Sequence, residues 1–401
     1  MTVGLRISPR TTSISTIRTS RAGVISRSLS EVLPSHSVFW DHLPMTTGRL
    51  TVDDVDALVV GLTLLGSGGG GDAHAFRHVL RRTLAGTELV LHDPAALAEA
   101  PVVAIGMIGA TRVLTEKLPS GQEIAGAVGA LARWTGVEPT ALMSFEAAGL
   151  NGAIAVAGAA ELGLPLVDAD LMGRALTRVD QLSFAVADRP LPPFAMAEPS
   201  GQTVLVDDVA PGALERVART AVAHGGGWAA CALGPVPASL AATDACTGTL
   251  ARALRLGRAH EGLVRPEPEE VAAALGGRVL ATGRTVEIAR HPSASFGRAG
   301  VAILDDGGAV LRVEAENEYL LAILDGEPVA SCPDLLCLLD RRTAAPIAVD
   351  GLRLGDDVVA IVLPGPPWWR ASPERLRRVD PRAFGIDCHA VLLPDPVGDL
   401  P

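Results

Sequence analysis

Aromatic residues are scarce in this sequence: Phe, Trp and Tyr make up 3% of its 401 residues. Hydrophobic residues nevertheless account for 48% of the chain. The core must therefore be built mainly from Ala, Val and Leu, small side chains that suit close packing of helices on sheets. A single core rarely grows beyond about 250 to 300 residues, so a chain of this length predicts two domains of α/β type.

Positive charge is also in short supply, since 34 Lys and Arg residues oppose 45 Asp and Glu residues and leave a net charge of -11. Such a chain repels phosphate backbones and anionic membrane surfaces, and it has no stripe of basic residues interleaved with aromatics. No run approaches the roughly 18 to 20 apolar residues that span a bilayer. We therefore expect a soluble protein that binds neither nucleic acid nor membrane.

Signatures of disulfides and of cysteine zinc sites are absent as well. The five cysteines form an odd set without any C-x-x-C pair: Cys231, Cys246, Cys332, Cys337 and Cys388. This spacing argues against a disulfide framework and a thiolate zinc site, and it fits a reducing, cytoplasmic location. We expect the cysteines to be small buried hydrophobic residues rather than nucleophiles.

Residues 1–44 differ in composition from the rest of the chain. Arg residues lie among many Ser and Thr, and Glu31 and Asp41 are the only acids. This composition imitates a mitochondrial transit peptide. The alternative is a gene start placed too far upstream, with Met45 as the true initiator. Under either interpretation we expect an extension, disordered or mis-annotated, that takes no part in the fold.

From Thr51 to about residue 265, segments with helical spacing of apolar residues alternate with short apolar runs typical of buried strands. Examples of such runs are PVVAIGMIG (101–109), ALMSFEAAG (141–149) and LPLVDAD (164–170). This alternation requires crossover connections and predicts an α/β fold, a mixed or parallel sheet with helices on both faces. We assign the N-terminal α/β domain to residues 45–203 and its continuation to residues 204–265.

Beyond residue 265 the pattern changes to short alternating runs separated by Asp-Gly and Gly-Gly turns. This spacing is typical of antiparallel hairpins and predicts a β-rich C-terminal domain over residues 266–401. Within it, Glu314, Glu316 and Glu318 alternate along one predicted strand, so we expect all three on one face. A solvated face is the simpler interpretation, and a docking surface is the alternative.

A loop with five glycines in seven residues lies between two predicted helices: Gly66-Ser67-Gly68-Gly69-Gly70-Gly71-Asp72. Its amides can approach a ligand without obstruction by a Cβ atom, and the start of the following helix favours an anion. The loop lacks the Gly-Lys-Ser/Thr of a Walker motif and the strand that precedes a dinucleotide loop, so we expect no nucleotide. A structural hinge is the alternative, and Asp72 is either a ligand or the N-cap of the next helix.

Carboxylates lie where predicted strands end, at the sheet edge where ligands of α/β proteins collect. Glu146 follows one strand, and Asp168 and Asp170 end the next, with Arg174 four residues further on. Close carboxylates raise a pKa and a nearby guanidinium lowers it, which suits acid and base chemistry or cation binding. An Asp to Arg ion pair, with Asp170 capping a helix, is an equal alternative.

A divalent metal such as zinc is left open by the sequence. The candidate ligands are Asp72, Asp168 and Asp170. His74 and His78 are four residues apart on one helix face and are weaker candidates. A histidine pair on a solvated helix face is more often incidental, and no H-E-x-x-H motif supports it.

Four segments carry a resemblance to a known family: LLGSGGGGD, FEAAGLNGAIAVAGAAELGLPLVDADLMGRA, PDLLCLLD and DPRAFGIDCHAVLL. In this order they resemble the S-methyl thiohydantoin desulfurase family, long described as a domain of unknown function and related to hydantoinases. The resemblance covers nearly everything from Met45 to Leu393. The chain departs from the family pattern where Ala147 and Ala148 follow Glu146, since we expect two glycines and an Asn there. This departure bears on the turn geometry and on the choice of substrate.

The resemblance implies hydrolytic removal of a sulfur substituent from a five-membered thiohydantoin ring, which yields a hydantoin and a thiol. The reaction needs an activated water, a site for an anionic tetrahedral intermediate and a leaving thiolate. From residue type and position we predict that Asp168 or Asp170 activates the water, directly or through a metal. The loop amides and Arg174 would hold the developing anion, and Glu146 and Asn151 would orient the ring amide. The predicted substrate-binding residues are Gly68, Gly69, Gly70, Gly71, Asp72 and Asn151.

Two other functions are compatible with the sequence. The chain could be a non-catalytic subunit of a hydantoinase-like assembly, or a protein that binds a small anion or nucleotide through the glycine loop. Catalysis requires Asp72, Glu146, Asp168 and Asp170 to converge around one cavity, whereas a structural subunit allows them to scatter. As partners we expect a small cyclic amide or thioamide substrate and further copies of the chain in a homo-oligomer.

Overall fold

The computed structural model of the protein describes residues 46–117, 119–186, 190–263, 266–291 and 297–394. The predicted N-terminal extension, residues 1–44, lies outside this part of the chain. Two β-sheets organise the described residues: the first is built from residues 46–247 and the second from residues 278–363.

The first sheet is mixed. Its strands are β1 (Thr46–Leu50), β2 (Leu89–His92), β3 (Pro101–Gly109), β4 (Ala141–Ser144), β5 (Leu166–Asp170), β6 (Phe194–Ala197), β7 (Thr203–Val206), β8 (Trp228–Pro237) and β9 (Cys246–Thr247). They lie in the order β1-β2-β5-β4-β3-β8-β6-β7, with β9 beside β5. The central strands β2, β5, β4 and β3 are parallel, and the other pairings are antiparallel.

Strand β3 shows how a continuous apolar run becomes a central strand. Val103 and Ile105 belong to the hydrophobic cluster on one face of the sheet, whereas Val102 and Ala104 belong to the cluster on the other face. Because successive side chains of a strand alternate between faces, a strand covered on both sides needs apolar residues at every position.

Helices cover both faces of this sheet. They are α1 (Val55–Leu65), α2 (Arg77–Thr83), α3 (Thr111–Glu116), α4 (Glu123–Thr135), α5 (Gly149–Leu162), α6 (Ser183–Val186), α7 (Pro211–Gly225), α8 (Ala238–Asp244), α9 (Thr249–Glu261) and α10 (Pro268–Ala274). Helices α1, α4, α5 and α9 contribute to one cluster, and α7 and α8 contribute to the other. Helices α1 and α9 approach closely because Gly61 lies against the backbone of Ala253, and Gly257 against that of Ala57.

The second sheet is antiparallel throughout. Its strands are β10 (Arg278–His291), β11 (Arg298–Asp305), β12 (Val310–Glu316), β13 (Glu318–Leu324), β14 (Glu327–Ser331), β15 (Leu335–Asp340), β16 (Pro346–Ile347) and β17 (Asp357–Leu363), in the order β14-β13-β12-β11-β10-β17-β15-β16. Asp325 and Gly326 join β13 to β14 with positive φ at both residues, 47° and 91°. This is the turn that an Asp-Gly pair favours in a two-residue hairpin loop.

The segment after the second sheet returns to the first. It contains the short helices α11 (Pro367–Arg370) and α12 (Pro373–Leu376). Trp369 is fully buried, and its Nε1 donates a hydrogen bond to the carbonyl oxygen of Met172 at 2.6 Å. Val379 and Phe384 join the hydrophobic cluster on the α7 face of the first sheet. This part of the predicted C-terminal domain therefore stabilises the N-terminal sheet.

The predicted fold class is confirmed: a mixed sheet with helices on both faces is combined with a separate antiparallel β-rich region. The predicted boundary between residues 265 and 266 lies between α9 and α10, before the second sheet begins at Arg278. Among the described residues, no helix has both the length and the apolarity needed to cross a bilayer.

The expectation that Glu314, Glu316 and Glu318 share one face of one strand is wrong. Strand β12 ends at Glu316, Asn317 reverses the chain, and Glu318 begins β13 and pairs with Glu316 across the turn. Asn317 has a φ of 62°, a left-handed conformation that Asn adopts more readily than most residues. Glu314 and Glu316 are half-buried, and Glu318 is buried.

Candidate active site

Two adjoining cavities lie where the glycine loop meets the second sheet, with volumes of about 720 and 550 Å³. Gly71 and Asn317 line both of them. The smaller is also lined by Glu146, Asn151 and Glu318, and we call it the acid cavity. We call the larger one the loop cavity. Volumes in this range are typical of sites for small molecules.

The glycine loop is joined to the second sheet through its backbone. The amide of Tyr319 donates to the carbonyl oxygen of Ser67 at 2.7 Å, and the amide of Val349 donates to that of Gly68 at 2.9 Å. A Cβ atom on Gly68 would lie 2.4 Å from the ring of Tyr319. Because Gly68 has no Cβ atom, the loop can pack closely against the second sheet, as the structural interpretation of the glycines requires.

Two glycines of the same loop also leave donors available to a ligand. Gly70 and Gly71 line the acid cavity and have positive φ values of 74° and 79°. Within the part of the chain that the structure describes, neither amide donates a hydrogen bond. Since backbone amides in folded proteins are nearly always paired with protein, water or ligand, these two can serve a bound molecule.

Glu146 follows β4 at the carboxyl end of the parallel strands and is 4% exposed. The side chain of Asn151 and the backbone amide of Leu176 hydrogen-bond to its carboxyl group. Asn151 is itself oriented, because its Oδ1 accepts a hydrogen bond from the amide of Met107 at 2.7 Å. Among the described residues, Oε1 of Glu146 has no hydrogen-bond partner although it is buried.

Glu318 approaches the acid cavity from the second sheet and is 2% exposed. Its Oε1 accepts a hydrogen bond of 2.5 Å from Nδ2 of Asn317. A Cβ atom on Gly69 would lie 2.4 Å from the same Oε1, so the glycine loop provides the room for this carboxyl group. Within the described residues its other oxygen, Oε2, is buried without a hydrogen-bond partner.

Burial raises the pKa of both glutamates above that of ordinary surface carboxylates. It raises the pKa of Glu318 to about 7. Burial also raises the pKa of Glu146 well above its usual range, and the charges of Glu318 and Asp170 raise it further. Glu318 therefore ionises first, and its negative charge keeps the proton on Glu146. Two carboxyl groups with separated pKa values can act as a base and an acid at neutral pH.

Asp170 has a structural role, because both of its carboxyl oxygens accept hydrogen bonds from the backbone. Its Oδ1 accepts hydrogen bonds from the amides of Gly173 at 2.6 Å and Met172 at 3.2 Å, and its Oδ2 accepts one from the amide of Ala147. Burial raises its pKa to about 7, against the effect of these three donors. The carboxylate thus ties the turn after β5 to the segment that carries Glu146, and it is not among the residues that line either cavity.

The hydrogen bond to Asp170 also explains how the turn forms without glycines at Ala147 and Ala148. Ala148 has an extended backbone, with φ of -97° and ψ of 148°. The left-handed conformation falls on Gly149, whose φ is 54°. The two alanines therefore cause no backbone strain.

Asp168 is likewise engaged on both oxygens. Oδ1 accepts hydrogen bonds from the amides of Leu250 at 2.8 Å and Ala251 at 3.4 Å, and Oδ2 accepts one from Oγ1 of Thr47 at 2.7 Å. The carboxylate therefore binds the first turn of α9 and the edge strand β1. It lines neither cavity. The prediction that Asp168 or Asp170 activates water finds no support in this geometry.

Arg174 is fully buried and does not contact either cavity. Its guanidinium donates hydrogen bonds to three carbonyl oxygens, those of Ala175 at 3.0 Å, Asp334 at 2.7 Å and Tyr319 at 3.3 Å. Tyr319 and Asp334 lie in or beside the second sheet, so Arg174 links the two sheets. The predicted contact of Arg174 with a developing anion is replaced by a role in packing.

The predicted metal ligands do not come together. Asp72 caps the 3₁₀ turn Ala73–Phe76 by accepting a hydrogen bond from the amide of His74 at 2.9 Å. Asp72 and His74 line the loop cavity, away from Asp168 and Asp170, and His78 lines neither cavity. In the described ranges no group of three or more His, Cys, Asp or Glu side chains could hold a metal ion. The residues present do not fit the predicted site.

Of the predicted site residues, the structure brings Glu146, Asn151, Gly70 and Gly71 together at the acid cavity. Gly68, Gly69 and Asp72 line the loop cavity. The predicted convergence of Asp72, Glu146, Asp168 and Asp170 around one cavity is not observed. Sequence reasoning did not select Glu318 or Asn317. The available signal was the Asn in Glu316-Asn317-Glu318, because Asn tolerates the left-handed backbone of a tight turn and interrupts the strand pattern.

Comparison with known proteins gives two family matches. Residues 53–208 match the model described as S-Me-THD-like, N-terminal domain, and residues 209–393 match S-Me-THD-like, C-terminal domain. Among solved structures, the chain is similar to the crystal structure of a protein from Chromobacterium violaceum, with 23% identity and a TM-score of 0.71. The similarity covers 87% of this chain and 100% of that one and concerns the fold. No curated protein matches the chain.

Proposed function

Because this chain belongs to the S-Me-THD-like family, we propose that it hydrolyses a five-membered thiohydantoin or hydantoin-like ring. In the reaction, water replaces a thioether substituent on the ring carbon between the two nitrogens. The products are the ring carbonyl of a hydantoin and a free thiol. The chemistry takes place in the acid cavity.

The observation that carries this proposal is that two residues lining the acid cavity each have a buried carboxyl oxygen without a partner. Oε1 of Glu146 and Oε2 of Glu318 are buried and have no hydrogen-bond partner among the described residues. An unsatisfied buried oxygen costs about 1 to 3 kcal/mol, so a protein retains such oxygens beside a cavity where a ligand supplies the missing partner. The ring nitrogens and the attacking water of the proposed substrate are such partners.

Glu318 acts as the base and Glu146 as the acid. Glu318 removes a proton from water as the water oxygen bonds to the ring carbon, and Glu146 protonates the ring nitrogen when the C=N double bond opens. When the tetrahedral intermediate collapses, its hydroxyl returns a proton to Glu146 and the C–S bond breaks. The thiolate takes the proton held by Glu318, so both residues regain their starting states.

The remaining contacts orient the ring. The amides of Gly70 and Gly71, which have no acceptor among the described residues, bind the ring carbonyl and hold it in the cavity. Asn151 orients the carboxyl group of Glu146 through a hydrogen bond. Asn151 is held in place because its own Oδ1 accepts a hydrogen bond from the amide of Met107. No step of this scheme passes through a metal ion, because the residues predicted as ligands are separated or engaged elsewhere.

The test uses the full chain and an S-methyl thiohydantoin, with thiol release followed by a colorimetric thiol reagent and hydantoin by chromatography. Glu318→Gln and Glu146→Gln are expected to lower kcat/KM by about 10² to 10⁴, the usual contribution of a general base or acid. Glu314→Gln, on the half-exposed Glu314 that pairs with Arg312, is the matched control and retains activity. Absence of turnover in the unmodified protein, or equal rates in all three variants, contradicts the proposal.

A further inference from the structure

Asn317 lies where the two cavities adjoin, and its side chain contacts Glu318 directly. It is the single residue between β12 and β13, and it lines both the acid cavity and the loop cavity. Its backbone amide donates to the carbonyl oxygen of Gly297 at 3.2 Å, and its side chain donates to Glu318 at 2.5 Å. A turn residue needs only the left-handed backbone, which Gly would supply more easily. The side-chain contact therefore requires a separate explanation.

The contact leaves the two oxygens of Glu318 in different surroundings. Nδ2 of Asn317 donates a hydrogen bond to Oε1 of Glu318, and Gly69 packs against the same oxygen. Oε2 alone remains without a partner among the described residues. A base that is held on one oxygen presents the other in a fixed direction, which is the condition for efficient proton transfer.

We propose that Asn317 is a positioning residue that orients the carboxylate of Glu318 toward the attacking water. This inference rests on the proposed function, because it assumes that Glu318 is the base. Asn317 acts through Glu318 and takes no proton itself.

The electrostatic surroundings of Glu318 give the proposal a measurable consequence. Burial raises the pKa of Glu318, and the hydrogen bond from Asn317 opposes this increase, as does the charge of Arg174. The charge of Glu316 raises the pKa of Glu318. Glu146 is its acidic neighbour, and the negative charge of Glu318 keeps the proton on Glu146. Arg178, Arg219 and Asp350 line the same cavity. Removing the donor should therefore move the acidic limb of the pH profile upward.

The experiment compares Asn317→Gly and Asn317→Asp with the unmodified protein. Gly keeps the left-handed backbone and removes the donor, whereas Asp keeps the shape and places a like charge beside Glu318. We expect the acidic limb of kcat/KM to move upward by about one pH unit in Asn317→Asp and by less in Asn317→Gly. The matched control is Asp325→Gly, at another left-handed hairpin residue with φ of 47°, and it leaves the limb in place.

A second readout separates the failure of this inference from the failure of the proposed function. Carbon-13 NMR of labelled glutamate side chains, assigned with Glu318→Gln, follows the titration of Glu318 without any substrate. An upward shift in both Asn317 variants supports the inference even if no thiohydantoin is turned over. An unchanged titration in both variants, with only the melting temperature lowered, overturns it and leaves Asn317 as a turn residue.

Discussion

Asp168 and Asp170 are as deeply buried as Glu146 and Glu318, but the two pairs differ in how their oxygens are used. Each aspartate oxygen accepts at least one hydrogen bond from a backbone amide or from Thr47. One oxygen of each glutamate accepts none among the described residues. Asp168 and Asp170 lie within β5, whereas Glu146 follows β4 and Glu318 begins β13 of the second sheet.

This difference shows that burial and a raised pKa do not by themselves identify a catalytic acid. Burial raises the pKa of Asp170 and of Glu318 to about the same value, near 7. A carboxylate whose acceptors are all occupied stabilises the fold, since losing any donor leaves an uncompensated charge. A carboxylate with a free oxygen beside a cavity can exchange a proton with a ligand.

The largest effect that would sharpen this comparison is on folding. Asp168→Ala is expected to lower the free energy of unfolding by about 4 kcal/mol, because it removes three hydrogen bonds at a fully buried position. Urea titration measures the change. Asp93→Ala, which removes a single cap hydrogen bond near the surface, is the control and should cost about 1 kcal/mol. Equal losses in the two variants would break the distinction.

A smaller effect of opposite sign is expected at Glu318. Its folded pKa is raised above the unfolded value, so its contribution to stability is complete below about pH 4.5 and is lost as the pH rises through about 7. Glu318→Gln avoids the buried charge and should be more stable than the unmodified protein by about 2 kcal/mol at pH 8. Near pH 4.5 the two should unfold alike.

Denaturant titrations at both pH values test this expectation, with Glu314→Gln as the variant that should show no pH-dependent gain. A loss of stability at pH 8 in Glu318→Gln would place Glu318 with the structural aspartates.

The smallest expected effect concerns the glycine loop. Gly69→Ala should lower kcat/KM about tenfold, or ~1.4 kcal/mol, because the new Cβ would displace the carboxyl group of Glu318. Gly69 is not among the loop glycines with positive φ, so the alanine causes no backbone strain of its own. Gly212→Ala, whose added Cβ would lie 3.9 Å from Nη1 of Arg216 in an ordinary contact, is the control. Steady-state kinetics with equal rates for the two variants would exclude close contact between loop and base.

Much of the fold follows from local patterns. The apolar run of β3 was predicted at residues 101–109 and is observed as Pro101–Gly109, because a strand buried on both faces requires an unbroken apolar segment. The antiparallel hairpins predicted beyond residue 265 are observed as the second sheet, which begins at Arg278. The return of Trp369 to the first sheet was not predicted, since nothing near it in sequence names its partner, Met172.

The candidate site was predicted only in part. Glu146 and Asn151 were selected because they follow one strand end, and they lie together in the acid cavity. Asp168 and Asp170 were selected by the same rule, yet their amide donors come from the segment after β4, from α9 and from the turn after β5. A carboxylate at a strand end is visible in a sequence, but its hydrogen-bond partners are not.

The sequence by itself determined the alternation of strands and helices, the antiparallel second half and a glycine loop that accepts close neighbours. Each of these depends on interactions within a few residues, or on the periodicity of apolar side chains. Only the tertiary structure decided that Glu318 and Glu146 line the same cavity. The two residues are far apart in the sequence and belong to the regions of two different sheets. Which acid keeps a free oxygen depends on the donors that folding places around it, and those donors are set by packing across the whole chain.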